Sequence, residues 1–578
     1  MKSRTLTFIA AMIVFPALAI DSPAQTFTTL HSFDAYDGSA PAYTPLVQGL
    51  DGNLYGTAYG GGTNEIDGDL CNIPGCGTVF KITPGGTLTT LHNFCSLAGC
   101  ADGGGPFAGL VLGTDGNFYG ITLLGGNFPS CGSGCGTVFK ITAAGKLTTL
   151  HSFAGDATEG YSPEAGLIQA AGGNFYGTTG GGGTNGYGTV FRITAGGKVT
   201  TLHSFDGVDG DFPYGATLVQ ATDGNFYGTT SYGGDLTCDS PSGCGTVFKI
   251  TVSGKLTTLH VFEGTDGAYP SAGLVQGTDG NFYGTTTGGG NPTCYSPNGC
   301  GTIFKITPAG ELTTLYKFEL TDGADPLAGL VEASDGNFYG TAAGGGANGG
   351  GTIFKITAGG ELTTLYSFCS QTDCTDGAGP WATLVQATNG NFYGTTEAGP
   401  IDSELCNSGC GTVFSLSLGL EPFVKTLSTS GKFGNAVIIL GNNLTGATGV
   451  SFNGTAANFA LVSNSEIKTT VPAGAKTGMV QVMTSNGTLT SNIAFKVTPQ
   501  IMSFTPTCRT VGTSVTVSGT ELTQTSKITF GGVLATTFTV NSDSEVTVEV
   551  PTGAKTGKIA ITTPGGTPIS SGTFTVTP

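Results

Sequence analysis

The residues able to do acid–base or metal chemistry in this chain recur at fixed places in a repeated phrase. All five histidines, His31, His92, His151, His203 and His260, fall at one position in copies of a phrase like "LTTLHSF". Two further copies place Tyr316 and Tyr366 there. Tyrosine does not replace a neutral imidazole as base or ligand, so the position reads as a flat, partly polar packing group on an outer strand. Acidic residues recur in Asp-Gly turns at Asp37, Asp102, Asp209, Asp266, Asp322 and Asp376, with Glu159 in the third copy. One carboxylate per repeat around a channel mouth would suit Ca²⁺, a hard ion that takes oxygen ligands. Asp-Gly is also ordinary turn chemistry, and that reading is preferred.

One position changes from copy to copy. After a proline and just before "LV" stand Tyr43, Phe107, Glu164, Ser271, Leu327 and Trp381, with Tyr214 nearby. Variation at a fixed, exposed place is where a ligand is read, and the rings of Tyr43, Phe107, Tyr214 and Trp381 are suited to stacking on sugar faces. The plainer alternative is that they plug a channel or cover a core. Trp381 is the only tryptophan in the chain. Elsewhere the search is empty: "TGGGG" lacks the Lys of a phosphate loop, and there is no GxSxG, HExxH or spaced Ser/His/Asp set.

Fourteen of the fifteen cysteines form tight pairs. Five lie in one kind of loop: Cys71/Cys76, Cys131/Cys135, Cys238/Cys244, Cys294/Cys300 and Cys406/Cys410. Those loops span 16–21 residues between flanking glycines, against 11 in the two copies without cysteine. Cys95/Cys100 and Cys369/Cys374 sit in two other long loops. In an exported chain this argues for local disulfides that pin extended loops. Zinc is the competing reading, but CxxC spacing and nearby His are missing. Cys508 is left over as a buried or idle thiol, with intermolecular pairing the lesser alternative.

The elements that must position these residues follow from the repeats. The Asn of "GN(F/L)YG" falls at 53, 117, 174, 225, 281, 337 and 391, and "GT(V/I)F" follows each time. Each copy holds four short runs rich in Val, Phe, Tyr, Thr and Leu, parted by Gly and Asp signals and without helical periodicity. Asp-Gly between the first two runs suggests a type I′ hairpin. Four strands per repeat, seven times, predicts an all-β, seven-bladed β-propeller. An orphan fourth strand, "TFTTLHSF", opens the region, and the last copy stops without its own. The N-terminal strand therefore closes the ring and removes a sheet edge.

The expected organisation is a signal peptide over 1–25, a propeller over 26–418, and two immunoglobulin-like sandwiches over 421–498 and 499–578. The tail units align with each other at an offset of 79 residues, "VPAGAKTG" on "VPTGAKTG". They resemble the IPT/TIG family through that phrase and "VIILGNNLTGATGVSFNGTAANF". The resemblance implies an immunoglobulin-like fold used as a spacer or adhesive stalk. The repeat region resembles the GloVer tandem repeat of "choice-of-anchor" proteins through "DGNFYGTT", "GTVFKIT" and "LTTLHSF". That family implies surface display and supplies no activity to carry over.

"MKSR" followed by an apolar run and small residues reads as a secretory signal, and no later stretch is long and apolar enough for a membrane-spanning helix. A net charge of −18 with only 10% charged residues argues against nucleic acid as a partner. The expectation is a secreted or cell-surface, non-enzymatic binding or adhesion protein for an extracellular glycan or other cell-surface polymer. The alternatives are a propeller lyase or hydrolase acting on such a polymer, and a purely structural matrix protein.

Overall fold

In the computed structural model, residues 25–578 are described except 42, 65–74, 128–133, 216, 296–297, 401–405 and 407–408. The expected signal peptide lies outside them but for its last residue. Blade 1 runs Val47–Gln48, Leu54–Ala58, Thr78–Ile82 and Leu88–Asn93, each strand antiparallel to the one before. Five more sheets repeat this order. The seventh joins Val385–Gln386, Phe392–Thr396 and Thr412–Ser417 to the N-terminal strand Thr26–Ser32. Thr26 pairs with Ser417 and Ser32 with Thr412, so the orphan strand fills the place its sequence predicts.

The "DGNFYG" phrase is explained by two kinds of contact. Within a blade, Asp51 accepts bonds from the Asn53 amide N–H (3.2 Å), the Asn53 side chain (2.6 Å) and the Tyr55 hydroxyl (2.9 Å). Between blades, each tyrosine lies against the next blade's phenylalanine. Tyr55–Phe118, Tyr119–Phe175, Tyr176–Phe226, Tyr227–Phe282, Tyr283–Phe338 and Tyr339–Phe392 have ring centroids 4.0–4.4 Å apart. At the seventh interface Tyr393 meets Leu54, the one copy in which the phenylalanine is replaced. Aromatic pairs of this kind contribute about 0.5–1.5 kcal/mol each beyond their buried area.

The turn inside the phrase differs from the type I′ expectation. Gly52 N–H bonds to Gly49 O and Gly49 N–H to Asn53 O, and Gly52 alone has positive φ, at 80°. This is a three-residue loop, a type I turn closed by a left-handed glycine.

The "LVQ" phrase is also an inter-blade device. Gln169, Gln220, Gln276 and Gln386 each accept a backbone N–H from the previous blade's turn, at Thr114, Ala171, Thr222 and Ser334. Glu332 does the same for Thr278, and Gln48 reaches Thr388 across the closure. Blade 2 departs from the pattern with Leu112 there, and blade 1's turn answers with Leu50.

The tail forms two immunoglobulin-like sandwiches. In the first, Ala436–Leu440 and Glu466–Thr470 face Gly449–Phe452 and Val480–Thr484 over a core of Ile439, Phe452, Val482 and Phe495. In the second, Ser514–Thr520 and Glu545–Glu549 face Lys527–Phe530 and Ile559–Thr562. The first sandwich docks on the face of the ring that carries the Asp-Gly-Asn turns. Phe423 N–H bonds to Thr388 O, Lys425 Nζ to Gln386 O (2.5 Å) and Ser465 Oγ to Leu50 O (2.7 Å). The opposite face, where the long loops emerge, is left to the ligand candidates.

Candidate functional site at the axial mouth

Small residues before the inner strands bring the seven blades close around an axial cavity of about 300 Å³. Pro45, Gly109, Gly166, Gly273 and Gly329 line it, and Thr217 Oγ1 and Thr383 Oγ1 accept the N–H groups of Gly166 and Gly329. Above this ring the variable position projects into the mouth. Tyr43, Glu164, Tyr214, Ser271, Leu327 and Trp381 all border the cavity.

The four aromatic candidates from the sequence come together in one cluster. Tyr43 stacks on Phe107 at 4.1 Å, and Trp381 and Tyr214 meet the Tyr43 ring edge-on at 4.9 and 6.0 Å. Phe107 is buried, 8% exposed, so it backs the Tyr43 ring and is not itself a platform. Tyr43, Tyr214 and Trp381 remain half-buried and accessible from the cavity.

Two carboxyls flank this cluster. Burial pushes Glu164 up to about 7, and its Oε2 has no hydrogen-bond partner. Burial also raises Glu397, whose carboxylate and the Trp381 indole nitrogen both approach Gly379. Tyr43 is pushed up to about 12, chiefly by burial and further by the charges of Glu397 and Glu164, while the Tyr214 hydroxyl opposes the shift. The mouth is therefore an aromatic platform set between acceptor groups, one of which is an unsatisfied buried oxygen. Such an acceptor is costly unless a donor reaches it, and a ligand hydroxyl or amine would supply one. The sequence signal for Glu164 was a lone charge at a position otherwise aromatic, aliphatic or hydroxylic. Glu397 had no comparable signal.

The acidic residues proposed for Ca²⁺ are placed differently. Each sits in the loop that follows its own outer strand, bound to the His or Tyr that the recurring phrase places on that strand. His31–Asp37, His92–Asp102, His151–Glu159, His203–Asp209 and His260–Asp266 lie at 2.7–3.0 Å. Tyr316 and Tyr366 donate to Asp322 and Asp376 at 2.5 and 2.8 Å. The structure does not gather these carboxylates into a ring of ligands. Their second oxygens accept loop N–H groups, as Asp37 does from Asp34 and Asp102 from Leu97. Burial opposes ionisation of Asp37, Asp102, Asp209 and Asp266, but the histidine and loop hydrogen bonds prevail and hold all four below the usual aspartate value.

Cysteine pairing is local wherever both partners are described: Cys95–Cys100, Cys238–Cys244, Cys294–Cys300, Cys369–Cys374 and Cys406–Cys410. Cys76 and Cys135 are disulfide-bonded, while Cys71 and Cys131 lie outside the described residues. Among the described residues the only trio of metal-ligand types is Cys76, Cys95 and Cys100. Its sulfurs are all in disulfides and offer no thiolate. Cys508 is free and exposed, on a short strand of the second sandwich, rather than buried.

Comparison with known proteins agrees with this architecture. The family model for the Gloeobacter/Verrucomicrobia repeat matches residues 72–296 and 293–458, and the IPT/TIG domain model matches 422–497 and 499–577. No curated protein matches the chain. Among solved structures, a surface glycan-binding protein from Prevotella bryantii is 18% identical over 26% of this chain and 39% of its own, with a TM-score of 0.21. An SGBP-B from a xyloglucan utilization locus of Bacteroides uniformis is 25% identical over 26% and 48%, with a TM-score of 0.14. The chain thus spans less than half the length of either. A fungal alcohol oxidase of the AA5 family, in complex with copper, is 13% identical over 82% and 98%, with a TM-score of 0.45. At these scores none of the three bears on what this chain binds.

Proposed function

The chain belongs to the Gloeobacter/Verrucomicrobia repeat family and ends in two IPT/TIG domains, and from that premise we propose an exported, non-enzymatic binding protein that takes extracellular polysaccharide at the axial mouth. The observation that carries this reading is the convergence of Tyr43, Tyr214 and Trp381, from three separate blades, on one cavity beside the unpartnered Glu164 carboxyl. Aromatic faces with a few placed polar groups are what a neutral, hydroxyl-rich ligand needs. The local disulfides support an oxidising, extracellular setting. The first sandwich holds the turn face of the ring and so leaves the mouth facing outward, as a stalk would.

The test is a glycan array of neutral, amino and uronate polysaccharides probed with the mature chain, with calcium and again with chelator. Selective binding that persists in chelator and is lost in Trp381→Ala and Tyr43→Ala is expected. A blank array, or binding untouched by both substitutions, overturns the reading. The two raised carboxyls favour a second reading, a hydrolase in which Glu164 is the general acid. Release of shorter chains from a bound polysaccharide, abolished by Glu164→Gln, would select it.

A further inference from the structure

The aromatic surface does not end at the mouth. Tyr214 lies 5.3 Å from Phe212 with the rings 15° apart, Phe212 lies 6.0 Å from Tyr232, and Tyr232 lies 5.8 Å from Tyr269. Tyr269 then forms, with Tyr295, Asn298 and Asp325, the wall of a groove of about 440 Å³. Tyr295 is half exposed, and its hydroxyl and one Asp325 oxygen both lie close to Gly344.

The backbone shows that these side chains are held there at a cost. In every repeat the residue before the recurring proline of the top loop is left-handed. Glycine serves in blades 2 and 7, at Gly105 (φ 57°) and Gly379 (φ 64°). Blades 4, 5 and 6 place Phe212, Tyr269 and Asp325 in the same conformation, with φ of 53°, 57° and 51°, as blades 1 and 3 place Ala40 and Ser162, with φ of 48° and 53°. A left-handed residue with a Cβ costs roughly 1–2 kcal/mol. The left-handed turn belongs to every repeat, and Ala40 and Ser162 adopt it too; what blades 4, 5 and 6 add there is an aromatic ring or a carboxylate on the track and in the groove.

We infer that the groove at Tyr269, Tyr295 and Asp325 is a second subsite for the polysaccharide, joined to the mouth by the track through Phe212 and Tyr232. The protein would then recognise a run of several neutral or amino sugar units rather than a chain end. Carboxyls at both ends, Glu164 and Glu397 at the mouth and Asp325 in the groove, disfavour uronate-rich chains. This inference rests on the mouth being a glycan site.

The experiment is calorimetry of the intact mature chain with cellohexaose, xylohexaose, mannohexaose and chitohexaose, and with the four corresponding disaccharides. The hexasaccharide that binds is expected to do so at least tenfold more tightly than its own disaccharide. Tyr295→Ala, at an exposed side chain, and Tyr269→Ala should each remove most of that advantage and leave disaccharide affinity unchanged. Trp381→Ala should weaken both sugars. Equal affinity for hexasaccharide and disaccharide, or a hexasaccharide affinity untouched by either tyrosine substitution, overturns the second subsite while the mouth stands. Failure of all four hexasaccharides to bind overturns the mouth and the groove together.

Discussion

Tyr316 donates its hydroxyl to Asp322 at 2.5 Å, in the place where His260 Nε2 meets Asp266 at 2.8 Å in the preceding blade. Phenol and imidazole are interchangeable here because both reach a carboxylate at the same distance from the outer strand. What repeats is a donor tied to an acid, and the acid in turn caps the loop that leads to the next blade. Asp322 accepts the Glu319 N–H as Asp266 accepts that of Glu263. The pairs are clasps for the top loops.

The clasps differ in depth, and this sets an order of stability effects. Asp102 is 1% exposed and accepts from His92, from the Ser96 amide and hydroxyl, and from Leu97. Removing it strands several buried donors, so Asp102→Ala should cost about 2–4 kcal/mol. Asp37, at 23% exposure, should cost about half that. Tyr316→His should be close to neutral and Tyr316→Phe clearly destabilising. Denaturant unfolding of the four variants checks the order, and an Asp102→Ala variant as stable as the wild type would remove the clasp.

Stability should fall on both sides of mildly acid pH. Asp37, Asp102, Asp209 and Asp266 titrate lower in the folded chain than in the unfolded one. Their contribution is complete above the unfolded value near 4 and is lost as pH falls through the folded values. Glu164 has the opposite sign. Its folded pKa is about 7, so the folded state binds its proton more tightly, and stability declines as pH rises from the unfolded value towards 7. Glu164→Gln should therefore raise Tm at pH 8 and leave it unchanged near pH 4. A pH series of melting curves for both proteins decides it, and parallel curves would contradict the buried, unpartnered carboxyl.

The architecture was legible because each structural device is written seven times. A missing fourth strand at one end and a spare one at the other spell out the closure, and loop length with cysteine content spells out the disulfides. The clasps were not legible, because partner spacing varies from 6 residues for His31 and Asp37 to 10 for His92 and Asp102. A constant distance in space is reached there across loops of unequal length. The left-handed position before the proline was hidden too: only Gly105 and Gly379 announce it, while Ala40, Ser162, Phe212, Tyr269 and Asp325 adopt it against their own preference. The aromatic mouth was half legible. Sequence position brought Tyr43, Tyr214 and Trp381 to the mouth, but only packing shows that Phe107 lies behind Tyr43.

The disulfides should act locally rather than as struts of the ring. Each described pair closes a loop between residues four to six apart, for which the chain-entropy relation gives about 2 kcal/mol. Reductant should lower Tm by stages without separating the blades, since the inter-blade stacks contain no cysteine. Peptide mapping without reduction should return only local pairs, with Cys508 alkylated in the native state. Inter-blade cross-links in that map would refute the assignment.

Ring closure should be the most sensitive point of the fold. Strand Thr26–Ser32 covers the edge of Thr412–Ser417, places Phe27 3.9 Å from Tyr366 and brings His31 to its clasp with Asp37. Deleting 26–33 would remove these contacts together and leave an unpaired edge, which templates aggregation. The truncated chain should elute as aggregate or melt far below the intact one, whereas Gln48→Ala, which removes a single bond pair to Thr388, should cost only about 1 kcal/mol. Adding the peptide of residues 25–36 in trans should restore part of the lost melting temperature. A truncated chain that remains monomeric with an unchanged melt would mean the ring is held by its stacked blades and needs no clasp between its ends.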